Sequence, residues 1–136
     1  MANAMVMADV AGHTLDDSDV ALLKSPEIGG MILFARNVDT PEQVRTLTDN
    51  MRSINPNILI AVDQEGGRVA RFRQGFSPLP AMGKLGKLYD EDRQTALARA
   101  YDCGYLMACE VLAVGVDFSF APVLDIDGVS LVIGDR

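Results

Sequence analysis

Asp63 and Arg71 lie within Val62-Asp-Gln-Glu-Gly-Gly-Arg-Val-Ala-Arg-Phe-Arg73, the densest polar cluster of the chain. An ionised carboxylate can accept hydrogen bonds from two hydroxyl groups, and a guanidinium offers a rigid fork of donors. That combination suits a polyol. The Gly66-Gly67 pair lets the backbone turn sharply or come close to a ligand. The competing reading is local: Asp63 caps its own loop, Glu65 pairs with a neighbouring arginine, and Arg68, Arg71 and Arg73 are solvated surface charges. Spacing alone leaves both readings open.

Other reactive residue types carry less. Gly66-Gly67 lacks the further glycine and the Lys-Ser/Thr of a Walker loop, which argues against a nucleotide site. Asp125, Asp127 and Asp135 crowd the end of the last expected strand, so Asp63 and Asp125 could be paired as a nucleophile and an acid. Loop aspartates more often make turns, however, and no neighbour marks one of these for a raised pKa. His13 is the sole histidine and precedes every expected strand. Cys103 and Cys109 fall in a helical pattern at a spacing that turns their side chains to different faces, which argues against a mutual disulfide. They read as reduced, buried helix residues. With one histidine and two separated cysteines, neither a zinc site nor a histidine-activated thiol has support.

The 136 residues amount to one domain's worth of chain, 49% hydrophobic and 23% charged, within the range of ordinary globular proteins. A formal charge of -7 argues against nucleic acid as a partner, since phosphate binding requires a basic surface. The first residues, Met1 to Asp9, have no basic segment followed by an apolar stretch of signal-peptide length, and no later run has the length of a membrane span. The expectation is a cytoplasmic protein with no membrane partner.

These residues need elements to position them. A short apolar piece at Met5 to Ala8 and a capped helix within Thr14 to Lys24 read as a preamble. Gly29-Gly-Met-Ile-Leu-Phe34 has the form of a parallel strand buried on both faces, and here it counts as the first. Thr40-Pro41 opens a helix carrying Val44, Leu47, Met51 and Ile54, and Ile58-Leu-Ile-Ala-Val-Asp63 is a second buried strand. A long helical pattern from Asp90 to Gly115 presents Leu97, Ala100, Tyr101, Gly104, Met107, Ala108, Val111 and Leu112 on one face, with Gly115 as its stop. Asp117 to Asp125 forms the third strand. Strands joined by helices begin either a doubly wound sheet or a (β/α)8 barrel, and periodicity does not separate the two. In either, the end of the strand before Asp63 is the ligand side.

Four segments occurring in order carry a resemblance: Gly29-Gly-Met-Ile-Leu-Phe-Ala-Arg-Asn37, Ala61-Val-Asp-Gln-Glu-Gly-Gly-Arg-Val-Ala-Arg-Phe72, Ser119-Phe-Ala-Pro-Val-Leu-Asp125 and Ile133-Gly-Asp-Arg136. Together they resemble the bacterial β-N-acetylhexosaminidases of glycoside hydrolase family 3. The resemblance implies an α/β fold, with residues 1–136 as the N-terminal portion, about three βα units, of a single (β/α)8 TIM barrel cut off before its catalytic residues. It further implies retaining hydrolysis of terminal N-acetylglucosamine from cell-wall fragments, with a carbohydrate as the only partner and no cofactor.

Carried over by motif, Asp63 resembles the aspartate that binds sugar hydroxyls, Arg71 the arginine of the same loop, and Arg136 the arginine of the Ile-Gly-Asp-Arg segment. The family's Lys-His binding pair, its His/Asp acid-base dyad and its aspartate nucleophile come from later loops and have no counterpart here, so no catalytic residue is assigned. A chain with binding groups alone is expected to be inactive in isolation. Two other readings remain at this point: a non-catalytic sugar-binding remnant, and a compact doubly wound α/β interaction domain.

Overall fold

The computed structural model describes residues 5–124. Asp125, Asp127, Asp135 and Arg136 lie outside the described residues.

The chain runs through β1 (Val6–Ala8), α1 (Asp17–Lys24), β2 (Ile28–Leu33), a 3-10 turn (Ala35–Asn37), α2 (Pro41–Ile54), β3 (Leu59–Val62), α3 (Met82–Glu91), α4 (Arg93–Ala113) and β4 (Phe118–Ser119). All neighbouring strands are parallel and lie in the order β1-β2-β3-β4. A doubly wound sheet reverses its strand order at a switch point, whereas a barrel adds each strand beside the last. The described sheet is therefore an arc of the barrel type. Four strands form it where the sequence reading counted three, because the Met5 to Ala8 piece taken as preamble pairs with β2 through Val6↔Ile28, Met7↔Gly30 and Ala8↔Met31.

β2 and β3 are central, with Met31 beside Ile60 and Leu33 beside Val62 in register, all four fully buried. Against them α2 sets Val44, Leu47, Thr48 and Met51, a row at helical spacing with no exposed member. Each fully buried aliphatic of this row stabilises the fold by about 1.5–3 kcal/mol relative to an exposed one. Thr40 caps α2 by accepting from the Gln43 N–H at 3.2 Å, with Pro41 in the first turn, as its sequence requires.

The Asp90 to Gly115 pattern corresponds to α4, and the helix before it, α3, overlaps the pattern only at Asp90 and Glu91 and was not expected. Asp92 ends α3 and caps α4, its carboxylate accepting from the Thr95 N–H at 3.1 Å and the Thr95 hydroxyl at 2.7 Å. Gly115 closes α4 at φ +78°, where its N–H donates to Leu112 O and the Val116 N–H donates to Val111 O. That is a Schellman end. Of the expected apolar face of α4, Met107 and Val111 turn inward, joined by Ala96, which the pattern did not include; the rest is exposed, with Tyr101 at 73% and Leu112 at 58%. The cysteines follow the same correction, since Cys103 is only half-buried and Cys109 is exposed. Both are free.

The amino ends of β3 and β4 are pinned by Asp117. Its carboxylate accepts from the Ile60 N–H at 2.7 Å and from Arg52 at 2.9 Å, while Arg52 also donates to Ile58 O and Gly115 O. This joins α2, β3 and the entry to β4 at the end remote from the polar loop.

Two helix caps set a pH dependence. Asp16 accepts from the Ser18 hydroxyl and from the Ser18 and Asp19 N–H groups, and Asp19 returns a bond to the Asp16 N–H. The Ser18 hydroxyl, then the Asp19 amide, hold the Asp16 carboxyl below the ordinary aspartate range; the Thr95 hydroxyl, then its amide, do the same for Asp92. Because the folded pKa is lowered, the contribution of each cap is present above the unfolded pKa and is lost as pH falls through the lowered value. Carboxyl carbon chemical shifts are expected to give Asp16 and Asp92 midpoints below the ordinary aspartate value. Midpoints at or above it would contradict the capping.

Candidate functional site

The carboxyl ends of the parallel strands release Asp9 after β1, Phe34 after β2, Asp63 after β3 and Phe120 after β4. Asp63 and Arg71 meet there: Arg71 Nη2 donates to Asp63 Oδ2 at 3.2 Å, both side chains being about three-quarters buried. Asp63, Glu65, Arg68, Val69 and Arg71 line an open cleft of about 460 Å³, within the range of small-ligand sites. Charged groups dominate its lining. It can offer carboxylate oxygens and guanidinium protons to a hydroxylated molecule, and little apolar surface.

The loop carrying these groups is tightly built. Glu65 and Gly66 both donate backbone N–H bonds to Val69 O, at 2.9 and 3.1 Å, and Gly67 donates to Leu79 O at 2.9 Å. Gly66 sits at φ +101°, and a Cβ there would lie 2.4 Å from Pro80 O. Only glycine fits that turn. Arg73 is exposed, and it donates to Ala70 O and Arg68 O, both at 3.1 Å, so it braces the loop from the solvent side. Glu110 of α4 accepts from the Ser77 N–H at 3.0 Å and ties the loop's far limb to the helix layer.

A second shelf comes from β2. The Phe34 ring lies beneath two guanidinium groups, Arg36 at 4.9 Å and Arg71 at 5.8 Å from its centroid, within cation–π range. Arg36 also pairs with Asp9. Fully buried Asn37 holds this corner together: its amide donates to Val10 O at 2.9 Å and Gly12 O at 3.0 Å, and its carbonyl oxygen accepts from the Phe34 N–H at 2.9 Å. The loops after β1 and β2 are thereby locked to each other.

Of the residues expected to bind substrate, the structure brings Asp63 and Arg71 together, and Arg136 lies outside the described residues. His13 is exposed and contributes its backbone oxygen to Gln43. Sequence reasoning passed over Phe34, Asn37 and Gln64. Gln64 is 2% exposed; its side chain accepts from the Arg71 and Phe72 N–H groups at 2.9 and 3.0 Å and donates to Phe72 O at 3.1 Å. Its signal was a neutral amide two residues after a fully apolar strand, where a buried polar group must find partners. Among the described residues, no group of three or more His, Cys, Asp or Glu side chains is arranged to hold a metal ion, and no helix is long and apolar enough to cross a membrane.

Parallel strands in chain order, helices outside, and a charged cleft at the strands' carboxyl ends define an arc of a (β/α) barrel with its ligand face in the usual place. Residues 3–136 match the glycosyl hydrolase family 3 N terminal domain, and the chain belongs to that family. It is 56% identical over 133 residues to a β-hexosaminidase of Alkalilimnicola ehrlichii, an alignment covering 96% of this chain and 38% of that protein. It is 50% identical over 131 residues to a β-hexosaminidase of Shewanella frigidimarina, again covering 96% of this chain and 38% of the relative. The chain thus spans well under half the length of these relatives. Among solved structures, NagZ from Neisseria gonorrhoeae in complex with N-trifluoroacetyl-D-glucosamine superposes with a TM-score of 0.88 at 46% identity, covering 92% of this chain and 37% of that one. A family 3 β-N-acetylglucosaminidase from a Paenibacillus species superposes at 0.82 with 32% identity, covering 92% of this chain and 24% of the other.

Proposed function

We propose that residues 1–136 are the N-terminal part of a single (β/α)8 barrel β-N-acetylhexosaminidase that removes terminal non-reducing N-acetyl-β-D-glucosamine from peptidoglycan fragments in the cytoplasm. The observation that carries the reading is the Asp63–Arg71 pair in the cleft at the strand ends. In this reading Asp63 accepts hydrogen bonds from sugar hydroxyls, Arg71 donates to the same ring, and Arg136 supplies a further donor. Similarity to a NagZ solved with a glucosamine derivative supports a sugar in this cleft.

The reaction is retaining. A carboxylate attacks the anomeric carbon as the aglycone leaves with a proton, and water then releases the sugar from the glycosyl-enzyme. Asp63 and Arg71 orient the ring for both steps. Nucleophile and acid/base are assigned to no residue of this chain, so binding without turnover is the expected behaviour of the 136-residue polypeptide alone. No cofactor takes part.

Two preparations test this. The isolated chain is expected to show shifts of the Asp63 to Arg71 amide resonances on titration with N-acetylglucosamine, and no hydrolysis of a chromogenic N-acetylglucosaminide. Turnover by the isolated chain that disappears in Asp63→Ala would refute the assignment. A chimaera joining residues 1–136 to the remaining portion of the Alkalilimnicola ehrlichii relative is expected to hydrolyse the same substrate.

A further inference from the structure

The Asp63–Arg71 pair does not hold itself in place. Its two side chains are partly solvated, where an ion pair contributes little rigidity, and they belong to opposite limbs of a loop. Arg71 must be fixed through its backbone, and the bonds that fix it come from Gln64. The Gln64 side-chain oxygen accepts two consecutive N–H groups, Arg71 at 2.9 Å and Phe72 at 3.0 Å, while its amide donates to Phe72 O at 3.1 Å. The limb is gripped on both its donor and acceptor edges. Phe72 is 2% exposed and stacks on Phe76 at 4.6 Å between centroids, so the gripped segment is also anchored in the core.

Gln64 is in turn fixed by β4. Its N–H donates to Ser119 Oγ at 3.0 Å, and the Ser119 hydroxyl donates to Gln64 O at 3.1 Å. A chain of bonds therefore runs from β4 through Gln64 to the Arg71 backbone, and only at its end reaches the ligand-facing guanidinium. We propose that Gln64 is a positioning residue for sugar binding, setting Arg71 against Asp63 without touching the sugar. The proposal deepens the hexosaminidase reading and rests on it for the identity of the ligand.

The geometry makes the two ends of the amide separable. Gln64→Glu keeps an acceptor for the Arg71 and Phe72 amides and loses the donor to Phe72 O. Gln64→Leu keeps the volume and removes both functions, leaving without these partners the buried N–H and C=O of Phe72 and the part-buried N–H of Arg71. Gln64→Leu is expected to raise amide hydrogen exchange at Arg71 and Phe72 about tenfold or more while Met31 and Ile60 in the central strands stay within about twofold. Gln64→Glu is expected to fall between Gln64→Leu and the parent.

N-acetylglucosamine affinity of the 136-residue chain is the second readout. Gln64→Leu is expected to weaken binding about tenfold in the parent and less than about twofold in an Arg71→Ala background, the non-additivity of two residues acting through one group. Equal losses in both backgrounds would overturn positioning through Arg71 and leave Gln64 a general stabiliser. If Gln64→Leu does not fold, the Gln64→Glu variant carries the same cycle. Absence of any sugar response in the parent overturns the hexosaminidase reading, whereas unchanged exchange at Arg71 and Phe72 in Gln64→Leu overturns the positioning role by itself.

Discussion

Replacing Asp63 with alanine is expected to lower kcat/KM for an N-acetylglucosaminide about 100-fold or more in the chimaera, with the substitution felt twice in one site. On the proposed sugar-binding role of Asp63, two hydroxyl-to-carboxylate hydrogen bonds would be lost, each worth about 1.5–3 kcal/mol when one partner is charged. Arg71 also loses the carboxylate that receives its Nη2 at 3.2 Å, while its contact with the Phe34 ring remains. Asp63→Asn keeps one acceptor oxygen and the side-chain shape, so its loss should be smaller than that of Asp63→Ala. A kcat/KM for Asp63→Ala within threefold of the parent would place the sugar elsewhere. Steady-state kinetics on the three proteins decide it.

Gly66→Ala is expected to destabilise the isolated chain by about 3 kcal/mol, more than its single added methyl would ordinarily cost. A left-handed backbone at φ +101° strains any residue with a Cβ, by about 1–2 kcal/mol. The added atom would also stand 2.4 Å from Pro80 O and 3.2 Å from Pro80 C, so backbone rather than a pliable side chain must move. Overpacking of that kind costs a further 1–3 kcal/mol or so. Gly83→Ala in α3 is the matched control: nothing lies within 4 Å of its Cβ position, and alanine favours a helix over glycine by roughly 0.5–1 kcal/mol. Urea unfolding should therefore move in opposite directions for the two variants. Parallel shifts would mean that the Gly66 turn is not the constraint described.

The central elements and the site's principal pair were legible in the sequence because each is specified locally. Gly29 to Phe34 and Ile58 to Asp63 are short apolar runs bounded by turn residues, and they are β2 and β3 to within two residues. Thr40-Pro41 marks the start of α2 with a cap and a proline, two signals that need no tertiary context. β1 escaped notice because three residues are too few to show a period, and its strand character comes from pairing with β2. α3 was missed for a different reason. Gly83 and Gly86 lower its helix propensity, and it is held by packing along α4, which periodicity within one segment does not report.

The α4 error is instructive about what an apolar stripe means. Leu97, Tyr101 and Leu112 share a face, yet burial requires a partner element, and among the described residues that side of α4 is largely exposed. Of that stripe only Met107 and Val111 meet the neighbouring structure, together with Ala96 from outside it, because contact follows the direction of the sheet rather than the largest side chains. Gln64 stayed hidden on similar grounds. A glutamine beside Asp63 and Glu65 looks like one more loop polar residue, and its partners are known only once residues 71, 72 and 119 have been brought to it.

The interlock of Ser119 with Gln64 spans 55 residues of sequence. During synthesis, which proceeds from the amino terminus at about 5–20 residues per second, Asp63 and Arg71 leave the ribosome seconds before Ser119 can reach them. The strand, the helix α2 and the glycine turn can form while translation continues, but the backbone of Gln64 is not fastened until β4 has arrived and docked. The cleft is therefore a product of late assembly. A nascent chain arrested before Ser119 carries both members of the Asp63–Arg71 pair proposed to bind sugar and lacks the clasp that fixes them.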